Sequence, residues 1–394
     1  MTTPWSGLEG TARRLALLLG QRLRPELWLN PCAPARLGAA AAERGAEGCS
    51  RSLGGPGSVL AAGEMADKTE VFFLVLTVAQ RLHIPDTFPL PLGELVRRAY
   101  ALGAFPALWA VEGLGHDYAE SFFRHGVPPR DVLTAPSTRD LPASSLLMLH
   151  AGIGLSFAET ELKRLPRNPS LPQVRRAVAR TVALCDANSR PGYVGAAYES
   201  LGLVTRTFFP AFTPAVDRAV REVAPHVRGY FWHGVGRSYY FLPVSFLPFS
   251  LWPLFEMAWQ EAPDVEALMN GYAGAAWAAV LVNQRHPSIL AELLVGPHGE
   301  QLARSGGFQN GVASSIVMRQ DTTPGAPFIE AFCRYRPADP RTAWFWEELV
   351  AAPCRRALRV YQPVLAAENR LDQVFRYQDL GRLVEGRSRQ EGRP

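Results

Sequence analysis

Lysine is almost missing from this chain of 394 residues: Lys68 and Lys163 are the only two, and the other 39 of its 41 basic residues are arginine. Arginine-rich surfaces suit phosphate and carboxylate recognition. Here the bias accompanies abundant Ala, Gly and Pro, which is the signature of a GC-rich coding sequence. Net charge is only +5 and arginines are interspersed with acids, so the basic tract of a nucleic-acid binder is missing. Cysteine is also sparse. Cys32, Cys49, Cys185, Cys333 and Cys354 are odd in number, far apart and never in a Cys-x-x-Cys pair. That excludes a zinc knuckle and covalent haem and argues against a disulfide scaffold.

Long apolar runs and targeting signals are scarce too. The first ten residues have no charged region leading into an apolar core, so no signal peptide is read. No uncharged run approaches the roughly 20 residues of a membrane span. The stretch from Tyr239 to Met257 comes nearest, broken by Pro243, Pro248 and Pro253. A cytoplasmic protein without a transmembrane segment is expected. There is no Gly-x-Ser-x-Gly elbow and no P-loop, so neither a hydrolase nor a nucleotide-binding reading is supported.

What is present is a repeated glycine block. Glu112-Gly-Leu-Gly, Ala151-Gly-Ile-Gly, Val194-Gly-Ala-Ala, His233-Gly-Val-Gly, Ala273-Gly-Ala-Ala and Asn310-Gly-Val-Ala place their first glycines at steps of 39, 43, 39, 40 and 37 residues. A period near 40 fits a helical hairpin or a propeller blade. Each block opens a helix-like run of small and apolar residues. Amphipathic segments such as 173–184 lie between blocks, and Pro-rich connectors such as Leu165-Pro-Arg-Asn-Pro separate them. The expected fold is all-α: an array of about six helical hairpins over residues 67–380, an inner small-residue helix in each, either open or closed as an α/α toroid. Residues 1–66 read as an N-terminal helix near 8–23 and a flexible connector, and 381–394 as a disordered basic tail. The run from Val71 to Ala79 suits a helix or a strand, with its unbroken continuation favouring a helix. Two reasons for the glycines compete: close helix packing, and anion-binding turns at helix N-termini.

Aligned on the first glycine, the residues one before, three after and seven after share a helical face. In the first copy these are Glu112, His116 and Glu120; in the fourth His233, Arg237 and Phe241; in the sixth Asn310, Ser314 and Met318. The third copy has Val194, Tyr198 and Gly202, and the fifth Ala273, Trp277 and Leu281. Glu112, His116, Glu120, His233 and Arg237 are therefore the candidate catalytic residues, able to act as general acid and base. His150, Tyr198, Glu199, Tyr239, Trp277 and Asn310 are candidate substrate contacts. A metal-dependent oxidoreductase built on the Glu/His face is a further alternative, although its spacing of four departs from the Glu-x-x-His pattern of helical di-metal sites. No metal ligand is assigned and the cofactor is left open.

The segments His150-Ala-Gly-Ile-Gly, Tyr193-Val-Gly-Ala-Ala-Tyr-Glu, His233-Gly-Val-Gly-Arg-Ser-Tyr-Tyr-Phe and Asn310-Gly-Val-Ala resemble the Gly-x-Gly blocks of a bacterial family associated with enediyne biosynthesis, whose biochemical role is unknown. The resemblance covers about residues 100–320. His116 and Tyr198-Glu199 depart from the family pattern, and no catalytic residue carries over. It implies a setting in natural-product biosynthesis, with an unsaturated polyketide as the molecule handled. The expected function is then an enzyme or accessory protein that holds a hydrophobic polyene intermediate in an apolar pocket with a polar Glu/His/Arg end. A non-catalytic helical scaffold that binds a partner protein is the alternative.

Overall fold

In a computed structural model, which describes residues 56–241 and 251–385, the protein is all-α, with no strand among the described residues. The expected helix at 8–23, most of the connector and the last residues of the tail lie outside that range. The first described helix, α1 (Pro56–Leu76), includes the apolar run at 71–76. It is followed by α2 (Leu92–Ala101), α3 (Ala104–Arg124), α4 (Ala143–Lys163), α5 (Leu171–Asn188), α6 (Val194–Phe208), α7 (Thr213–Val223) and α8 (Arg228–Tyr240). Then come α9 (Trp252–Glu261), α10 (Val265–Val282), α11 (Gly306–Thr322) and α12 (Pro327–Arg334).

Proline and capping residues set many of these boundaries. Pro172, Pro214, Pro253 and Pro327 occupy first-turn positions, where the missing N–H costs nothing. Ser170 and Gln173 close a capping box on α5, and the Asp264 carboxylate accepts the Ala267 N–H at 3.0 Å to start α10. Helix α10 ends at Val282, and Pro287 opens the next short helix. Two further prolines fall inside helix α13 (340–367). Each lies two residues beyond a turn widened to π geometry: Pro353 after Glu347–Ala351, and Pro363 after Ala357–Tyr361. A π turn shifts the carbonyl that a proline ring would otherwise strike, so the helix continues.

The six glycine-bearing helices pack as a series of neighbours: α3 on α4, α4 on α6, α6 on α8, α8 on α10 and α10 on α11. Between them α5 and α7 are amphipathic. Helix α5 buries Val174, Ala177, Val178, Thr181, Val182 and Cys185 and leaves its arginines outward. The connectors are unequal, since a loop joins α3 to α4 while two short helices join α10 to α11. The last helix returns to the first through Arg319. This side chain is fully buried and donates to Gln284 Oε1 at 2.9 Å and to the carbonyls of Phe105 and Leu281 at 3.2 and 3.3 Å. With only neutral acceptors around it, burial together with Arg285 pulls its pKa down to about 9. Among the described residues the helix with the length and composition of a membrane span is α10 with its following turn (Val265–Arg285), 72% buried inside the protein, while most of the stretch from Tyr239 to Met257 lies outside the described residues or on α9.

Five of the six block glycines sit in helix interiors, which corrects the expectation that the blocks open helices; only the third block, Val194-Gly-Ala-Ala, opens its helix, α6. Gly113, Gly152, Gly234 and Gly274 all lie mid-helix, where backbone N–H groups are used by the helix itself and hold no anion. Close approach is the reason for them. A Cβ on Gly152 would stand 2.1 Å from the Glu112 carbonyl oxygen, one on Gly274 1.9 Å from that of His233, and one on Gly311 2.1 Å from that of Ala273. In each case the residue before one copy's glycine faces the glycine of the next copy. The third copy breaks the rule as aligned. Gly234 faces Glu199, not Val194, and Ser200 Oγ donates to the Ala151 carbonyl at 2.8 Å. Ser200-Leu201-Gly202 is therefore the true third block, five residues beyond the aligned one.

Candidate functional site

Corrected for that register, the residues preceding the small residue in the six inner helices are Glu112, Ala151, Glu199, His233, Ala273 and Asn310. Three of these ionisable side chains meet in the interior, together with Arg237. His233 and Arg237 stand four apart on α8 and so project from one face. Arg237 Nη2 donates to both carboxylate oxygens of Glu112 on α3, at 2.5 and 2.8 Å, and Nη1 donates to Glu199 Oε2 on α6 at 3.2 Å. The other oxygen of Glu199 lies 3.2 Å from His233 Nδ1. All four residues are at most 2% exposed. The small residues make this possible: only helices at near-backbone contact let side chains from α3, α6 and α8 reach one guanidinium.

Aromatic rings close the group. The Arg237 guanidinium lies 4.8 Å from the centre of the Trp277 ring on α10. The His233 ring meets Trp277 edge-on at 6.1 Å and Phe375 at 6.3 Å, Phe375 coming from a 3-10 turn (Leu371–Phe375) near the end of the described chain. Burial pushes the Glu112 carboxyl above the usual range, with Arg237 opposing. Burial works against the Arg237 charge, but Glu112 and Glu199 more than restore it, so the guanidinium is held above its usual value. Two carboxylates facing one guanidinium leave an excess negative charge unless the group takes up a proton. His233 Nε2, Arg237 Nε and Trp277 Nε1 are buried with no hydrogen-bond partner among the described residues. Such groups are costly unless something hydrogen-bonds them.

The face expected to join Glu112, His116 and Glu120 is parted. Eight residues of helix advance about 12 Å and turn about 80° past a whole number of turns, so the three cannot address one centre. His116 Nε2 pairs instead with Glu159 Oε2 of α4 at 2.9 Å, and its Nδ1 lies 3.7 Å from Asp117. Glu120 is half-buried and joins neither group. Among the described residues no three His, Cys, Asp or Glu side chains are grouped as a metal site requires, and the Glu/His metal face does not assemble.

Of the expected substrate contacts, Glu199 and Trp277 belong to the centre and the rest do not. His150 is a buried structural histidine. Its Nδ1 lies 2.6 Å from the Leu146 carbonyl and its Nε2 accepts the Arg190 N–H at 2.9 Å; burial lowers its pKa to about 3 and keeps it neutral. Tyr198 hydrogen-bonds Asp186, Tyr239 donates to Glu261 at 3.2 Å, and Asn310 donates to the Gln378 carbonyl at 2.5 Å. An open cleft of about 540 Å³, lined by Phe123, Pro128, Leu184, Glu161, Arg164 and Arg180 among others, shares no residue with the buried centre. Sequence reasoning missed Phe375, which carries no local signal. It undervalued Glu199, whose signal was the Ser-Leu-Gly that follows it.

The His116–Glu159 pair gives a pH prediction. Burial opposes the His116 charge, but Asp117 and Glu159 outweigh it and raise the pKa from 6.5 to about 10. Burial likewise opposes the Glu159 charge, yet His116 and Lys163 lower that carboxyl from 4.5 to about 2. The histidine contribution is complete below pH 6.5 and lost as pH rises through 10; the glutamate contribution is complete above pH 4.5 and lost as pH falls through 2. In denaturant titrations His116→Gln should therefore cost about 1–3 kcal/mol between pH 4.5 and 6.5, and the deficit should shrink on both sides. A deficit independent of pH would refute the pairing.

The sequence matches no protein-family model, and neither the curated proteins nor the solved structures contain a match to it.

Proposed function

We propose that the protein binds a hydrophobic, unsaturated small molecule at the Glu112–Glu199–His233–Arg237 centre and moves a proton on it, as a cytoplasmic enzyme or accessory protein of enediyne or related polyketide biosynthesis. The observation that supports this reading is His233 Nε2: fully buried, without a hydrogen-bond partner among the described residues, bordered by Trp277 and Phe375, with Glu199 on the other ring nitrogen. A carboxylate on Nδ1 fixes the tautomer that leaves Nε2 as the acceptor, the arrangement of a general base. Arg237 and Glu112 supply the charge that accompanies the transfer, and the aromatic rings exclude water. The biosynthetic setting rests on the glycine-block resemblance.

Loss of a positioned general base typically costs about 10²–10⁴-fold in rate. His233→Gln should lower pathway product by about that factor when it replaces the native protein in the producing strain, with the helical circular-dichroism spectrum unchanged. Product at the native level would overturn the reading. A partner-binding scaffold draws support from Trp259 and Val265, which stand 68% and 74% exposed at the corner between α9 and α10. In the same assay that alternative requires Trp259→Glu to abolish product and His233→Gln to leave it intact.

A further inference from the structure

In a chain that uses arginine at 39 of 41 basic positions, a buried lysine stands out. Arginine carries a charge as well as lysine does but does not lose its proton in a protein, whereas a lysine amine, once desolvated, becomes a nucleophile. Lys163 is exposed on the surface of α4 and pairs with Glu159, a role arginine would fill equally. Lys68, on α1, is 2% exposed. Its Nζ lies 3.4 Å from Glu64 Oε1 one turn earlier, and 3.9 Å from the centre of the Tyr240 ring on α8. The Tyr240 hydroxyl donates to the same carboxylate oxygen at 2.9 Å and accepts from Asn283 Nδ2 at 2.9 Å. Glu64, Tyr240 and Asn283 thus hold the amine against a carboxylate and an aromatic face. Tyr240 also follows Arg237 by three residues on α8, which puts this amine about one helical turn from the Glu112–Arg237 centre.

We propose that Lys68 is a covalent carbonyl-binding site, at which its amine condenses with an aldehyde or ketone to form an imine. The nitrogen lone pair attacks the carbonyl carbon and the C=O π pair moves to oxygen, giving a carbinolamine. The Glu64 carboxylate relays two protons in turn from nitrogen to oxygen, the first completing the carbinolamine and the second leaving with the hydroxyl as water. Amine plus carbonyl become imine plus one water, with no change of oxidation state. Tyr240 and Asn283 are positioning residues: the phenol holds the carboxylate, the amide holds the phenol, and the ring faces the iminium charge. Burial lowers the Lys68 pKa, partly offset by Glu64, so a larger share of the amine is free base at neutral pH.

The chain's two lysines make the test direct. Full-length protein is treated at pH 7 with propanal and cyanoborohydride, and adducts are located by peptide mass spectrometry. Lys68 should accumulate the propyl adduct at least about tenfold faster than Lys163, less than a positioned acid–base group typically supplies. In denaturant the two rates should converge, and Glu64→Gln should slow labelling of Lys68 but not of Lys163. Labelling of Lys163 at a rate equal to or above that of Lys68 in the native protein overturns the proposal. So does an unchanged Lys68 preference in denaturant. Neither result bears on His233, whose variant is read by product formation.

Discussion

Arg237→Met is expected to lower the free energy of unfolding by about 3–5 kcal/mol, because it strands two buried carboxylates. Among the described residues Glu112 has no other hydrogen-bond donor, and Glu199 keeps only His233. The effect also has a pH signature. Burial already pushes the Glu112 carboxyl up against the opposing guanidinium; without the guanidinium it is pushed further, and a carboxyl so raised contributes stability below its unfolded pKa that is lost as pH rises. The deficit should therefore be small near pH 4 and large near pH 8, measured by chemical denaturation at each pH. Replacing Glu112, Glu199 and Arg237 together by Met should recover most of the loss, since a buried ion group is often no more stable than apolar residues of its volume. If the single variant is as stable as the native protein at pH 8, the carboxylates are not held as described. A triple variant that is stable but yields no product would separate the chemical role of the group from its structural one.

Gly274→Ala should be nearly as severe, with a loss of about 3 kcal/mol or more, although alanine is the better helix former by about 0.5–1 kcal/mol. The new Cβ would fall 1.9 Å from the His233 carbonyl oxygen and 2.8 Å from the Arg237 backbone nitrogen. Both contacts are backbone, so no side-chain rotation relieves them and α10 must retreat from α8. Trp277 would retreat with it, opening the aromatic wall around His233 and Arg237. Gly271→Ala on the same helix is the control. Its nearest neighbour is the Ala258 Cβ at 3.4 Å, and the substitution should be neutral or stabilising by up to about 1 kcal/mol. Equal effects at the two positions would show that close approach is not what glycine provides at 274.

The contrast between these two glycines shows how far local pattern reaches. Both are glycines inside one apolar helix, and only the position of α8 distinguishes them. The same limit applies to the third block. Val194-Gly-Ala-Ala looks like its siblings, but the interhelical register selects Ser200-Leu201-Gly202, because Tyr230 and Asp372 fill the space beside Gly195. His233 and Arg237 were legible as a pair because a separation of four on one helix is a local fact. Glu112 and His116 met the same criterion and went separate ways, since each was claimed by a different neighbour, Arg237 and Glu159.

By itself the sequence determined the helical class, the prolines and caps that punctuate it, the small-residue seams along which helices can touch, and the few helices that carry ionisable groups inside. These are consequences of periodicity and of backbone chemistry, which act within a few residues. Tertiary structure alone decided which groups share a centre. It joined Glu112 to Arg237 across 125 residues and placed Glu199 against His233. It also seated Tyr240 against Lys68. The axial offset and rotation of one helix against the next follow from where backbone carbonyls find glycine opposite them. That depends on all the packed neighbours at once, and no single helix encodes it.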